Sequence, residues 1–122
     1  MKVIIDTSSI LFAFANWHDI FDHVKQQMPG KEIMLSKGIV NELKGIASRP
    51  TSLGITAKTA LVAVSIKDIN LADSNISVDS WILRAAKKDK TISVVTNDTA
   101  LIKKLRASGV KAFKIARNGM LK

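Results

Sequence analysis

Two aspartates stand directly beyond short apolar runs. Asp6 follows Val3-Ile4-Ile5, and Asp98 follows Ile92–Val95 through Thr96-Asn97. Apolar runs of this kind read as buried strands, and in open α/β sheets ligands bind beyond the carboxyl ends of the strands. Each acid also precedes or opens a helical pattern, where free backbone N–H groups favour negative charge. Taken singly, Asp6 reads as a turn residue and Asp98 as an N-cap. Two acids at equivalent strand ends shift the balance modestly towards chemistry. Carboxylates about 4 Å apart repel by roughly 4 kcal/mol per pair at an effective dielectric near 20. Such a cluster is unfavourable unless some acids protonate or a cation binds. Oxygen-only ligands without His or Cys favour Mg²⁺ or Mn²⁺ over zinc.

The elements that must carry these acids alternate short apolar runs with amphipathic stretches, the pattern of an α/β fold with a mainly parallel sheet of about five strands flanked by helices. Strands are predicted at Lys2–Ile5, Glu32–Leu35, Asp68–Leu71, Ile92–Val95 and Val110–Ile115. Helices are predicted at Ser8–Ala15, Asp19–Met28, Lys37–Ala47, Thr56–Ile66, Ser77–Lys88 and Asp98–Ala107. Pro29-Gly30 and Ser108-Gly109 read as stops, and Ser36 stands where an N-cap belongs. Arg49–Gly54 reads as a loop and Ala116–Lys122 as a polar tail. Trp81 is expected in the core, and Trp17 suits either core or surface.

Composition narrows the chemistry further. The 122 residues suffice for one domain, 1–122, and are too few for two. The chain has no cysteine, which excludes disulfides, thiolate nucleophiles and Cys-based zinc sites. His18 and His23 miss the i, i+4 spacing of zinc motifs and read as ordinary residues of the segment Trp17–Met28. No apolar run approaches the ~20 residues of a membrane span, and residues 1–10 read as a strand rather than a leader. A soluble cytoplasmic protein without membrane contact is the expectation.

The net charge of +9 is unevenly placed. Residues 1–83 hold 8 Lys/Arg and 8 Asp/Glu, whereas residues 84–122 hold 11 against 2. A basic segment beside an electroneutral one suits a polyanion, nucleic acid ahead of membrane. A solvated basic surface with no such partner accounts for the charge equally well.

Four segments together resemble the PIN-domain family of metal-dependent nucleases: VIIDTSSIL at 3–11, SKGIVNEL at 36–43, VDSWILRAA at 78–86 and VVTNDTAL at 94–101. No one of them is specific, but they occur in the family's order and span nearly the whole chain. The resemblance implies a PIN-like fold and places the family's acids on Asp6, Glu42, Asp79 and Asp98, with its supporting hydroxyl on Thr96. Neither Glu42 nor Asp79 stands out without it. In one departure, Ser80 occupies a position where relatives often carry a further acid, which puts a second metal position in doubt. Asp73 is a candidate substitute, though a loop acid describes it as well. IFDHV at 20–24 and GVKAFKIARNGML at 109–121 further resemble archaeal PIN nucleases that process small-subunit rRNA, more than VapC-type toxins.

The resemblance implies hydrolysis of RNA to a 5′-phosphate and a 3′-hydroxyl, with Mg²⁺ or Mn²⁺ held by the four acids. Arg84, Lys87, Lys88, Lys103, Lys104 and Arg106 are the candidate grips on the RNA backbone, giving affinity rather than sequence choice. A small-subunit rRNA precursor, a ribosome-assembly protein and a second copy of the chain are the expected kinds of partner. Three alternatives keep parts of this picture: a PIN domain that binds RNA without cutting, a toxin nuclease, and a receiver-like signalling domain. The receiver needs a paired acidic site after its first strand, where this chain has Asp6 alone.

Overall fold

The computed structural model describes residues 1–122. Strand β1 (Lys2–Ile5) passes through Asp6 into α1 (Thr7–Ala15), followed by α2 (Ile20–Gln27) and β2 (Glu32–Ser36). Helices α3 (Lys37–Ala47) and α4 (Ser52–Ile66) lead to β3 (Ile69–Ala72). The chain closes with α5 (Val78–Lys88), β4 (Ser93–Val95), α6 (Thr99–Ala107) and β5 (Lys111–Phe113). The five strands form one sheet in the order β3-β2-β1-β4-β5, and every pairing is parallel. The expected α/β class and strand number are both found.

This order fixes where a site can form. β1 lies at the centre, and the chain leaves it towards β2 on one side and returns as β4 on the other. The switch in winding falls between β1 and β4, which opens a crevice at their carboxyl ends. Val3, Ile4 and Ile5 are fully buried, as befits a parallel strand covered on both faces. Ile5 lies opposite Val95, and the ladder continues past the strands: the Asp6 N–H donates to the Val95 carbonyl at 2.8 Å. The Thr96 N–H donates likewise to Phe113 O at 2.8 Å. Asp6 and Thr96 are thus carried side by side by the backbone.

Local capping explains the helix starts. Asp6, Asp19, Ser36, Thr51, Ser77 and Asp98 all stand as N-caps whose side chains accept backbone N–H groups. Thr51 corrects the predicted loop at 49–54. Its Oγ1 accepts from the Gly54 N–H at 3.1 Å and starts α4 inside that segment. Gly54 is required there, because a Cβ would run into the Arg49 carbonyl. The small residues Gly54, Ala57, Ala60 and Ala63 line the buried side of α4, which packs on α1 and α3.

The tail is also more ordered than its polarity suggests. Ala116–Gly119 forms a turn, with the Gly119 N–H donating to Ala116 O at 2.9 Å. Leu121 returns to bridge Ile115 in antiparallel sense. Gln27 clasps the turn from α2, donating to Gly119 O at 2.8 Å and accepting from the Leu121 N–H at 2.9 Å. Gly119 has φ 87°, and a Cβ there would run into the His23 ring, so no side chain fits. His23 Nε2 and His18 Nδ1 share a hydrogen bond at 3.1 Å, which pairs the two histidines with each other. Trp81 packs against the core, whereas Trp17 stands on the surface. No helix is long and apolar enough to cross a membrane.

Candidate active site

Asp6 is the best-held acid in the molecule. The residue is only 5% exposed. Oδ1 accepts the Thr7 N–H at 2.8 Å, while Oδ2 accepts Thr96 Oγ1 at 2.8 Å and Ser8 Oγ at 3.1 Å. Burial pushes its pKa above the ordinary aspartate value, and the nearby Asp79 charge pushes the same way. The Thr96, Ser8 and Thr7 hydrogen bonds pull it back without cancelling the rise. A desolvated carboxylate under repulsion from another acid is a charge awaiting a counter-charge.

Thr96 couples this acid to the next. The buried hydroxyl that donates to Asp6 also accepts the Asp98 N–H at 3.1 Å. Asp98 caps α6, its Oδ1 accepting from Ala100 N at 3.0 Å and Leu101 N at 3.2 Å. The expected supporting hydroxyl therefore links the two acids that follow β1 and β4. Thr7 performs a similar service on the other side. Its Oγ1 donates to Glu42 Oε1 at 2.7 Å, tying α3 to the end of β1. Glu42 and Asp79 are exposed, whereas Asp98 is half-buried.

Asp79 lies in the first turn of α5, beyond the Ser77 cap. The start of α5 lies beside the start of α3, since a Cβ on Gly38 would touch Val78 Cγ2 at 3.4 Å. Ser80 joins the cap rather than the acids: its hydroxyl accepts Ser77 Oγ at 2.8 Å and its N–H donates to the same oxygen at 3.3 Å. Asp73 is drawn elsewhere. It is a largely exposed loop acid paired with Lys37 at 2.7 Å, which holds its carboxyl below the usual range.

Besides Thr7, sequence reasoning missed three further supports, Ser8, Ser9 and Asn97. Ser8 donates to Asp6, lies 3.3 Å from Thr96 Oγ1 and accepts the Asn97 N–H at 3.1 Å. Ser9 donates to Asn97 Oδ1 at 2.6 Å, and Asn97 in turn donates to Ile115 O and accepts the Ile115 N–H, each at 3.1 Å. The signal was the run Thr7-Ser8-Ser9 after an acid, too many hydroxyls for a buried helix start unless each has a partner. Every buried side-chain polar atom does have one.

A family model described as a PIN like domain matches residues 3–117. The chain belongs to the PIN-like domain family. Among solved structures, this PIN-like domain is similar to one described as the PIN domain endonuclease Utp24. The identity is 23% and the TM-score 0.77, over 94% of this chain and 85% of that one. It is also similar to a domain of a functionally unknown protein from Methanocaldococcus jannaschii DSM 2661. There the identity is 17% and the TM-score 0.68, over 94% and 91% of the two chains. No curated protein matches the chain.

PIN-domain nucleases generally use divalent metals. The donor chemistry of this PIN-like domain suits such ions, because the acids and hydroxyls at the crevice offer oxygen alone. The side chains are not drawn to one point: no three of the chain's His, Asp and Glu residues are grouped so as to hold a metal. Asp6 is engaged by its three donors, Asp98 by the helix cap and Glu42 by Thr7. The fit therefore rests on the strained charge of Asp6 and the oxygen donors around it.

The basic residues divide into two groups. Arg84, Lys87 and Lys88 are exposed on α5 and, with Ser80 and Leu83, line an open hollow of about 440 Å³. Lys103 and Lys104 are exposed on α6. None of these five makes an ion pair with an acid. Arg106 is different, because its Nη2 donates to the Ala112 carbonyl at 2.9 Å and ties α6 to β5.

Proposed function

We propose that this PIN-like domain is a divalent-metal-dependent endoribonuclease acting on small-subunit rRNA precursor. The observation that carries the reading is Asp6: a buried, triply held carboxylate at the switch point of a parallel sheet, with its proton affinity raised by burial and by Asp79. A purely structural N-cap does not need burial beside another acid. The endonuclease described for Utp24 supports the reaction class, since both chains share the fold.

In this reading Asp6 and Asp98 hold Mg²⁺ or Mn²⁺, with Glu42 and Asp79 completing the site. The ion, when bound, supplies positive charge opposite the scissile phosphate and acidifies an attacking water. Thr96 fixes the Asp6 carboxylate and the Asp98 backbone together, and Thr7 orients Glu42. The unpaired cations of α5 and α6 take the flanking phosphates, which gives salt-sensitive affinity without sequence choice. The rRNA assignment rests on the resemblance of residues 20–24 and 109–121 to archaeal processing nucleases.

The test is cleavage of RNA in Mg²⁺ or Mn²⁺ by wild type and by Asp6→Asn and Asp98→Asn. Both variants should lose activity; identical ladders from all three would reject the site. Depletion in the native cell should change the 5′ ends of small-subunit rRNA, and unchanged ends reject the processing role. One observation favours a second reading, RNA binding without cutting: Ser80 stands where relatives often carry a further acid and the candidate substitute, Asp73, pairs with Lys37 instead. That reading predicts RNA affinity with no cleavage in either metal.

A further inference from the structure

Helix α5 carries an acid of the site on one side and an aromatic on the other. At 3.6 residues per turn, Trp81 stands about 200° round the helix from Asp79. The residues between them follow in angular order over the outer side: Leu83, Lys87, Ser80, Arg84 and Lys88. These five line the open hollow described above. Arg84 and Lys88 also line a second hollow, of about 270 Å³, walled by Trp81 and by Ser74 and Asn75 of the loop before α5. The two hollows share that pair of cations. A single groove therefore winds over α5 from the acid to the tryptophan.

The second hollow suits a flat ligand with polar edges. Trp81 is half-buried, packed against the core with one part and lining the hollow with another. Ser74 folds over Ile76, its hydroxyl donating to the Ile76 carbonyl at 3.4 Å and lying 3.5 Å from the Ile76 nitrogen. That turn sets Asn75 on the wall. The Asn75 side chain is exposed and bonds to no other group of the chain. Its two donors and its acceptor are left for a ligand. Asp73, at the rim, is neutralised by Lys37 at 2.7 Å and does not oppose an anion. The hollow falls short of the ~300 Å³ at which pockets for drug-sized molecules begin, so it takes one ring system rather than a longer segment.

We propose that this hollow receives one unpaired nucleobase of bound RNA, laid against Trp81 and read at its edge by Asn75, with Arg84 and Lys88 on the adjoining phosphates. The proposal rests on the reading that this PIN-like domain binds RNA, and it adds a demand for a single-stranded segment beside the cut. Bases in a duplex are stacked and paired. An unstacked base can instead be splayed onto an aromatic side chain and hydrogen-bonded along its edges. Two cations without acid partners at the mouth select a ring that comes attached to phosphate.

Trp17→Phe leaves Trp81 as the chain's only tryptophan, so its fluorescence reports on the hollow. With EDTA present to prevent cutting, a short single-stranded RNA should quench that fluorescence. Duplex RNA of equal length should bind without quenching it. Trp81→Leu should weaken single-strand affinity by about 10-fold and leave duplex affinity unchanged, and Trp81→Phe should restore most of the loss. Asn75→Ala, an exposed loop change that spares the core, should weaken the single strand by about 5-fold. Single-stranded RNA that binds without quenching, or binds Trp81→Leu or Asn75→Ala as tightly as wild type, overturns the pocket while RNA binding stands. Equal quenching by the duplex overturns it as well. If neither RNA binds, the RNA reading itself fails and takes the proposal with it.

Discussion

Thr96 lies ninety residues from Asp6, and its hydroxyl donates to Asp6 Oδ2 at 2.8 Å while accepting the Asp98 N–H at 3.1 Å. One oxygen therefore governs both strand-end acids. Thr96→Val keeps the shape and removes that oxygen, leaving Asp6 with one fewer donor and the Asp98 N–H without an acceptor. A cost of about 1–3 kcal/mol in denaturant unfolding is expected, together with a loss of cleavage. Thr96→Ser should restore much of both; equal stability of Thr96→Val and wild type would contradict the coupling.

The raised pKa of Asp6 gives a signed pH dependence. The folded chain binds this proton more tightly than the unfolded chain, so stability from Asp6 is full below its ordinary pKa. It is lost as pH rises through the raised value. In EDTA, wild type should lose stability over that acid window, and Asp6→Asn should lose less. Asn retains an acceptor for Thr7, and its NH₂ can donate to the Thr96 and Ser8 hydroxyls. At neutral pH the variant should therefore melt higher, a gain of about 1 kcal/mol being roughly 4 °C for a domain of this size.

Metal reverses that ranking. Mg²⁺ or Mn²⁺ should raise the melting temperature of wild type by mass action and leave Asp6→Asn unmoved. Thermal scans with and without EDTA give the comparison directly. Equal shifts in both proteins would place the ion elsewhere.

Asp98 has two duties that substitution can separate. Asp98→Ala removes the cap from Ala100 and Leu101 as well as the charge, costing about 1 kcal/mol. Asp98→Asn keeps the cap oxygen and should fold as well as wild type. Both should lose cleavage, and an active Asp98→Asn would confine Asp98 to its structural duty.

The cations of α5 are predicted to act through salt. Arg84→Ala and Lys88→Ala each remove one grip on a phosphate. Either should flatten the slope of log affinity against log salt by about 0.7 on single-stranded RNA. The weakening should be similar for unrelated sequences. Arg106→Ala should instead lower stability, because its guanidinium holds the Ala112 carbonyl.

Much of the scaffold could be read from residue order because local signals agreed with tertiary ones. Val3-Ile4-Ile5 before Asp6, and Ser36 before an amphipathic run, each name both an element and its boundary. The start of α4 was hidden because Arg49-Pro-Thr-Ser-Leu-Gly has loop composition, and only the Thr51 cap makes it helical. β3 is a weak strand by composition and lies one residue later than predicted, its register set by β2 rather than by its own pattern. The polar tail carried a clue in Asn118-Gly119, a turn pair whose partner, Gln27, is remote in sequence. At the site, the strand-end acids were visible locally. The pairing of Thr7 with Glu42 was not, because no periodicity links a helix start to a residue 35 positions away.

The central place of β1 has a consequence for synthesis. Its first neighbour, β2, emerges from the ribosome soon after it, whereas β4 and Thr96 arrive only with the final quarter of the chain. Until then Asp6 lacks the hydroxyl that fixes it and the acid across the crevice. On the proposed reading, the chain cannot cut RNA until β4 has joined β1 and brought Thr96 and Asp98 to the crevice.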